Sequence, residues 1–162
     1  MPARDLALLT DAAREAGRIA LRFWRRDPKV WDKGGEHGPV TEADLAVNDM
    51  LKARLLAARP DYGWLSEETP DSPDRLAVDT VFIIDPIDGT RAFISGLPVW
   101  GTLVGLTFKG KAVAGLMAQP FTGELFCALD GKSRLSHAGK STRLQTRQTR
   151  HLGDATMFTT TP

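Results

Sequence analysis

The chain has 162 residues, 42% of them hydrophobic and 25% charged, and a formal net charge of +1 at pH 7. This composition supplies enough apolar side chains for a core and argues against a general binder of nucleic acids or other polyanions. No apolar run approaches the ~20 residues that span a bilayer and no signal region opens the chain, so we expect a soluble protein without a membrane partner.

Two amphipathic helices are predicted in the first part of the chain. Apolar residues recur at helical spacing in residues 6–24. Thr41, followed three residues later by Asp44, forms a capping box for a second helix. The apolar face of this second helix would contain Leu45, Val47, Leu51, Leu55 and Leu56. Residues 33–38, between the two helices, are rich in glycine and are predicted to form a loop.

Strand-like runs follow the helices. Four apolar segments bounded by turn signals predict an antiparallel sheet, which with the helices defines an α+β fold. These segments are residues 81–84, 99–108, 112–118 and 124–129. Lys109-Gly110 and Asp130-Gly131 supply tight turns, and the acidic segment 70–73, with a proline at each end, is predicted to be a surface loop.

A basic tail and one cysteine complete the pattern. Cys127 lies in an apolar run without a second cysteine to pair with, so a buried thiol and a reducing cytoplasm are expected. Six basic residues follow it without aromatic partners, which predicts a solvated tail and no nucleic-acid partner. They are Lys132, Arg134, Lys140, Arg143, Arg147 and Arg150.

The most informative segment is Ile83-Ile84-Asp85-Pro86-Ile87-Asp88-Gly89-Thr90, in which an apolar strand runs into two carboxylates, a glycine and a hydroxyl. Asp85, at the end of a buried strand, is expected to be partly desolvated and to need a positive partner. Pro86 fixes one backbone torsion and Gly89 permits a sharp turn, so that Thr90 can open a helix. The same residue types also form ordinary turns and helix caps, so this segment alone does not decide its function.

A second acidic pair favours a metal site. Glu67-Glu68 ends a short apolar run that begins at Trp64. If Glu67, Asp85 and Asp88 converge, each pair of charges at ~4 Å repels by about 4 kcal/mol at an effective dielectric of ~20. Such a cluster requires a cation to stay ionised, and its ligands are all hard oxygens, which favours Mg²⁺ or Mn²⁺ over zinc.

Three segments together carry a family resemblance. They are Gly38-Pro39-Val40-Thr41-Glu42-Ala43-Asp44, then Glu67-Glu68, then Asp85 to Thr90 with Phe93 after it. In this order and spacing they resemble the inositol monophosphatase family. The continuation from Arg91 to Thr102 is most similar to the branch that dephosphorylates histidinol phosphate in histidine biosynthesis. The resemblance implies metal-assisted hydrolysis of a phosphate monoester and the first domain of a layered αβαβα fold, with two amino-terminal helices packed on an antiparallel sheet.

The resemblance also implies roles for individual residues. The metal ligands would be Glu67, Asp85, the backbone carbonyl of Ile87, and Asp88. The residues that hold the phosphate of the substrate would be Asp88, Gly89 and Thr90. Glu67 and Thr90 would also position and deprotonate the attacking water.

Three further residues have two interpretations each. Asp44 would support Thr90 in catalysis, although capping of the second helix explains it equally well. Lys33 precedes Asp44 at the spacing where the family has a lysine near the metal, and Arg91 follows the phosphate turn directly. A solvated surface role is the alternative for both cations.

The resemblance covers only the amino-terminal part of the family's length. In the family, a later tryptophan-aspartate motif supplies an aspartate that completes the metal site, and no such motif follows Asp88 here. We therefore expect an amino-terminal metal- and phosphate-binding domain at residues 1–150 and a stub of a truncated second domain at 151–162, with a strand at 155–160. The family's habit of pairing favours a homodimer.

Two classes of function remain open. The first is a Mg²⁺-dependent phosphomonoesterase that acts on L-histidinol phosphate, or on an inositol phosphate or a related small sugar phosphate. The second is a catalytically incomplete fragment that binds metal or a partner without turnover. Measurement of phosphate release separates these two classes.

Overall fold

The computed structural model describes residues 2–34 and 38–156, with side chains from residue 5 onward. Helix α1 spans Pro2–Phe23 and helix α2 spans Glu42–Ala58, which confirms both predicted helices. They pack on each other and on the sheet through fully buried residues such as Leu9 and Leu51. Leu45, predicted to lie on the buried face of α2, is instead 39% exposed.

The strands form a short ribbon and one large sheet. The antiparallel ribbon between α1 and α2 consists of β1 (Val30–Asp32) and β2 (Pro39–Thr41) and was not predicted. The sheet has seven strands in sequential order: β3 (Gly63–Ser66), β4 (Thr80–Asp88), β5 (Gly101–Phe108), β6 (Lys111–Gln119), β7 (Glu124–Leu129), β8 (Lys132–His137) and β9 (Lys140–Leu144). A short helix, α3 (Thr90–Ile94), connects β4 to β5.

The sheet is mixed, whereas the prediction was antiparallel. β3 and β4 pair in parallel, and the five other pairs are antiparallel. A parallel pair requires a crossover connection, which here contains a 3₁₀ helix at Pro73–Ala77. The parallel pairing brings the carboxyl ends of β3 and β4 to the same edge of the sheet.

The basic tail is structured over much of its length, because residues 132–144 form the β8–β9 hairpin. Its turn places Ala138 and Gly139 at φ of 48° and 75°. Alanine rarely adopts a positive φ, so the sequence offers no clear turn signal at this point. The two predicted turns, at Lys109-Gly110 and Asp130-Gly131, are confirmed by positive φ at all four residues.

The last described residues differ from the prediction. A 3₁₀ helix spans Leu152–Asp154, and residues 155–156 are not part of a strand. The rest of the strand predicted at 155–160 lies outside the described residues, as do residues 35–37 of the predicted loop.

The two long helices cover only one face of the sheet. Phe82 and Val104 point toward the helices and are fully buried, whereas Ile83 on the opposite face is 41% exposed. Among the helices of residues 2–34 and 38–156, none combines the length and the apolar character needed to traverse a bilayer.

Candidate active site

The parallel pair β3–β4 brings the two predicted acidic segments together. Ser66 lies opposite Ile84, and the backbone N–H of Glu67 donates to the carbonyl oxygen of Ile84 at 3.2 Å. Adjacent strands lie about 4.8 Å apart, so Glu67 leaves β3 beside the point where Asp85 continues β4. At the level of the backbone, the segments therefore approach each other as the sequence predicts.

The sequence predicted that β4 ends at Ile84. In the structure the strand continues through a bulge to Asp88. Its register with β5 shifts between Asp85 and Asp88. Pro86 lies within this irregularity, where its missing N–H does not interrupt a regular ladder, and its carbonyl accepts a hydrogen bond from Thr102 Oγ1 at 2.8 Å. As a result Asp85 is half-buried while Asp88 reaches solvent.

Gly89 makes the turn from β4 into α3. Its φ of 87° lies in the left-handed region, and a Cβ at this position would stand 2.8 Å from the carbonyl oxygen of Val99. Residues with a Cβ rarely adopt this φ, and their Cβ would clash with the carbonyl oxygen of Val99, so the turn requires glycine. Thr90 then begins α3, as predicted.

The hydroxyl of Thr90 lies between a carbonyl oxygen and a carboxylate. Oγ1 is 2.9 Å from the carbonyl oxygen of Ile87 and 3.4 Å from Asp44 Oδ1. A hydroxyl has one proton to donate, so these two acceptors are alternatives and the closer one forms the stronger hydrogen bond.

Asp44 has a separate oxygen for each of its two predicted roles. Oδ2 accepts hydrogen bonds from the backbone N–H and the hydroxyl of Thr41, at 2.8 and 2.5 Å, which completes the capping box of α2. Oδ1 faces Thr90. Burial raises the pKa of Asp44, and the hydrogen bonds from Thr41 oppose this shift. Capping and support of Thr90 are therefore compatible.

A network of polar side chains from α2 supports the turn that carries Glu67 and Glu68. Asn48 is 3% exposed, and its Oδ1 accepts a hydrogen bond from Ser66 Oγ at 2.7 Å. Its amide group also contacts Thr69 Oγ1 at 3.2 and 3.3 Å. The backbone N–H of Glu68 donates to Ser66 Oγ at 3.3 Å. Asn48 thus fixes both ends of the acidic turn to α2.

Lys33 is paired with this turn and is not freely solvated. Its Nζ lies 2.6 Å from Glu68 Oε1 and 3.5 Å from Glu67 Oε1. Burial lowers the pKa of Lys33, but the hydrogen bond to Glu68 and the charges of both glutamates raise it above its ordinary value. Burial raises the pKa of Glu68, and Lys33 opposes that shift.

Asp85 has no comparable compensation. Burial, followed by the negative charge of Glu67 and then of Asp88, raises the pKa of Asp85 to about 7. Among the residues that the structure describes, no ion pair includes Asp85. A bound cation at this edge would stabilise the ionised form and return the pKa toward its ordinary range.

The donors at this edge fit a hard divalent cation by type and charge, because they are carboxylate and carbonyl oxygens around an electrostatically strained Asp85. Within residues 2–34 and 38–156, however, no three Asp, Glu, His or Cys side chains are gathered closely enough to hold a metal ion. The fit therefore rests on donor chemistry and not on an assembled coordination shell. The ligand roles of Glu67, Asp85, Ile87 and Asp88 stay predictions.

Comparison with known proteins identifies the family. A model of the inositol monophosphatase family matches residues 2–162. The chain belongs to this family. A histidinol-phosphatase from Chlorobaculum parvum is 37% identical over 128 residues, which are 78% of this chain and 48% of that protein. An inositol-1-monophosphatase from Caulobacter vibrioides is 34% identical over 156 residues, which are 95% of this chain and 60% of that protein.

A solved structure shows that this inositol monophosphatase-family chain has the family fold. An inositol monophosphatase from Zymomonas mobilis superimposes with a TM-score of 0.69 at 32% identity, over 91% of this chain and 55% of that chain. The predicted α+β fold is thereby confirmed. The chain spans about half the length of the relatives it matches.

Two residues of this inositol monophosphatase-family site were not predicted to have a role. Asn48 is a lone amide between the buried apolar residues Val47 and Leu51 of α2, and a polar residue on an apolar helix face is the signal that could have revealed it. Glu68 was noted only as the neighbour of Glu67, yet its side chain is 6% exposed and holds Lys33. Arg91, considered as a cation for the substrate, is exposed.

Proposed function

We propose that this chain carries the metal- and phosphate-binding part of a Mg²⁺-dependent phosphomonoesterase. The observation that carries the proposal is the parallel pairing of β3 and β4, which sets Glu67 beside Asp85 at one edge of the sheet. Burial and neighbouring carboxylates raise the pKa of Asp85 to about 7, and this electrostatic environment favours a bound cation. Membership of the inositol monophosphatase family supports a small phosphate monoester as substrate.

In this proposal the oxygens of the two acidic turns hold the metal, and Mn²⁺ can replace Mg²⁺. The ligands are Glu67, Asp85, the carbonyl of Ile87, and Asp88. When bound, the ion lowers the pKa of a water molecule toward neutrality and neutralises charge on the phosphoryl and leaving oxygens. Gly89 and Thr90, with Asp88, hold the phosphate at the turn into α3, where backbone N–H groups lack helical partners.

Thr90 and Glu67 position and deprotonate the attacking water. Thr90 Oγ1 donates its proton to Ile87 or to Asp44, so its lone pairs are available to accept a hydrogen bond from that water. Asp44 orients the hydroxyl of Thr90 when it is the acceptor of that proton. The side chain of Glu67 is 51% exposed, and its carboxylate takes up the proton that the water loses.

The substrate we favour is L-histidinol phosphate, which is hydrolysed to L-histidinol and phosphate in histidine biosynthesis. The similarity to a histidinol-phosphatase supports this choice, together with the stretch from Arg91 to Thr102. An inositol phosphate or a related small sugar phosphate is the second candidate, supported by the similarity to an inositol-1-monophosphatase. This chain spans only 42% and 48% of the length of two relatives, which supports a third possibility, a fragment that binds metal or a partner without turnover.

We also propose that residues 1–150 form the metal- and phosphate-binding domain and that 151–162 belong to a second one. The sheet ends at Leu144, and residues 145–150 are exposed and without regular structure, which supports a boundary there. The single cysteine, Cys127, supports a reducing cytoplasm as the location. A homodimer is the assembly we propose from the family's habit of pairing.

The test is phosphate release from L-histidinol phosphate, an inositol monophosphate and a hexose phosphate, in Mg²⁺, in Mn²⁺ and in EDTA. Both the 162-residue chain and the longest polypeptide of its reading frame are assayed. We expect the highest kcat/KM for L-histidinol phosphate and no release in EDTA. Activity confined to the longer polypeptide supports the fragment interpretation, and absence of release from every ester by both polypeptides contradicts a phosphatase.

A further inference from the structure

The structure places one ammonium group against two carboxylates that differ in burial. Lys33 Nζ lies 2.6 Å from Glu68 Oε1 and 3.5 Å from Glu67 Oε1. The side chain of Glu68 is 6% exposed, that of Lys33 is 19% exposed, and that of Glu67 is 51% exposed. The closer contact is therefore with the buried carboxylate, and the longer one is with the carboxylate that solvent and ions can reach.

Both partners of the closer contact are fixed to the fold. The backbone N–H of Glu68 donates to Ser66 Oγ at 3.3 Å, and that hydroxyl donates to the buried Asn48 at 2.7 Å. Lys33 directly follows β1, and its backbone N–H donates to the carbonyl oxygen of Gly38, the residue before β2, at 3.3 Å. Glu67 can turn into solvent, whereas Glu68 and Lys33 are held together.

We propose that Lys33 is the counter-ion of Glu67 in the metal-free protein, and that Glu68 is the positioning residue that limits this contact. The inference rests on the proposed function, in which Glu67 binds a divalent cation. Such a cation competes with the ammonium group of Lys33 for the same carboxylate. Glu68 binds the ammonium group at 2.6 Å and so keeps it 3.5 Å from Glu67. The carboxylate of Glu67 thereby stays available to the metal.

The two members of the pair then act on metal affinity in opposite directions. Without Lys33, Glu67 has no competing cation. Without the negative charge of Glu68, the ammonium has only Glu67 to pair with and becomes a stronger competitor. A simple field effect would also give opposite signs, but its two contributions would add independently, whereas competition makes the effect of Lys33 depend on Glu68.

The experiment is a double-mutant cycle on Mg²⁺ binding, measured by calorimetry with the 162-residue chain. We expect Lys33→Met to tighten Mg²⁺ binding by roughly twofold to fivefold, in keeping with a partly exposed ion pair. Glu68→Gln weakens binding by a similar factor. In the Glu68→Gln background, Lys33→Met has a larger effect than in the unaltered chain, because it then removes a closer competitor.

The double variant and a remote lysine serve as controls. Lys33→Met with Glu68→Gln removes the pair without leaving a buried carboxylate unpaired, so it is the variant to use if Lys33→Met alone does not fold. We expect it to bind Mg²⁺ more tightly than Glu68→Gln does. Lys109→Met removes an ammonium that lies 3.7 Å from Asp79, with both side chains 64% exposed, and is expected to leave Mg²⁺ affinity unchanged.

Four results would overturn the inference. If both single variants weaken binding, the pair has a structural role only. If the effect of Lys33→Met is the same in both backgrounds, Glu68 does not position Lys33 against Glu67. If the unaltered chain takes up no Mg²⁺, the proposed metal site fails and this inference fails with it, whereas uptake that is equal in all variants overturns the inference alone.

Discussion

The two acidic turns of the site are held in place by different means. The turn after β3, which carries Glu67 and Glu68, is fixed by side chains, through Asn48 beneath it and Lys33 beside it. The turn after β4 is fixed by its backbone, through the bulge at Pro86 and the left-handed φ of 87° at Gly89. Side-chain contacts tolerate graded changes, whereas a backbone conformation that only glycine adopts does not.

The turns also differ in how their charge is balanced. Lys33 compensates the buried Glu68 directly, at 2.6 Å. Asp85 is surrounded by carboxylates, and burial together with Glu67 and Asp88 raises its pKa to about 7. The buried charge of the first turn is therefore balanced within the protein, whereas no cation among the described residues pairs with Asp85 in the second turn. If this comparison is correct, substitutions in the two turns will affect stability and activity in different proportions.

The largest effect is expected for Asp85→Asn. Loss of a proposed ligand should lower Mg²⁺-dependent phosphate release by about 1,000-fold or more in the active polypeptide, since metal stabilisation of the transition state amounts to several kcal/mol. The same change should leave the metal-free protein equally stable or stabilise it at pH 8, on the order of 1 kcal/mol after allowance for partial exposure. Phosphate release and urea unfolding in EDTA measure the two effects.

The pH dependence of the folding stability tests independently whether Asp85 destabilises the metal-free protein when it is ionised. The folded state holds the proton of Asp85 up to about pH 7, whereas the ordinary pKa is 3.8. The stabilisation from this proton is complete below the lower value and is lost as pH rises through the higher one. Asp85→Asn should therefore flatten the fall in stability between about pH 4 and pH 7. Asp130→Asn, in the exposed β7–β8 turn, is the control that should leave this slope unchanged.

The next largest effect is expected for Gly89→Ala. The added Cβ would lie 2.8 Å from the carbonyl oxygen of Val99 at a φ of 87°, so strain and a steric clash combine. We expect a loss of about 3 kcal/mol in the free energy of unfolding, together with loss of activity. Gly110→Ala is the matched control, because its φ is 73° and nothing lies within 4 Å of the added Cβ. Equal losses for the two variants would argue against a constrained turn at Gly89.

Local patterns in the sequence were sufficient to predict the turn at Gly89 and the start of α3 at Thr90, although not the bulge that precedes them. The residues of the Asp85 segment are adjacent in the chain, and the torsional preferences of proline and glycine act within a few residues. The helices were predictable for a similar reason, because an amphipathic face repeats every three or four residues along α1 and α2. Capping of α2 by Thr41 and Asp44 is likewise a local interaction.

Contacts between distant residues could not be predicted in this way. Lys33 and Glu68 are 35 positions apart, and Asn48 and Ser66 are 18 apart, so their pairing depends on the packing of the whole domain. The parallel pairing of β3 with β4 depends on a crossover that has no signature in either strand. The β8–β9 hairpin was missed because these strands are polar and half-exposed, and lack the alternation that a buried face produces.

A smaller effect is expected when the side-chain support of the first turn is removed. Asn48→Ala deletes the amide that holds Ser66 and Thr69, and leaves the buried hydroxyl of Ser66 without its acceptor. We expect the free energy of unfolding to fall by about 2 kcal/mol, as measured by urea denaturation. Thr69→Ser keeps a hydroxyl at the same place and should change stability by much less. An Asn48→Ala variant as stable as the unaltered chain would show that the turn does not depend on α2.

The smallest change in stability is expected for Glu67→Gln, although Glu67 belongs to the first turn and is a proposed ligand. Its side chain is 51% exposed and its contact with Lys33 is 3.5 Å, so in EDTA the change should stay below about 0.5 kcal/mol. Glu68→Gln should destabilise the metal-free protein more, because its carboxylate is buried and pairs with Lys33 at 2.6 Å. Thermal unfolding of both variants in EDTA makes the comparison. If Glu67→Gln is the more damaging of the two, then Lys33 is anchored by the exposed carboxylate, and the division of the glutamates into a structural residue and a metal ligand would have to be reversed.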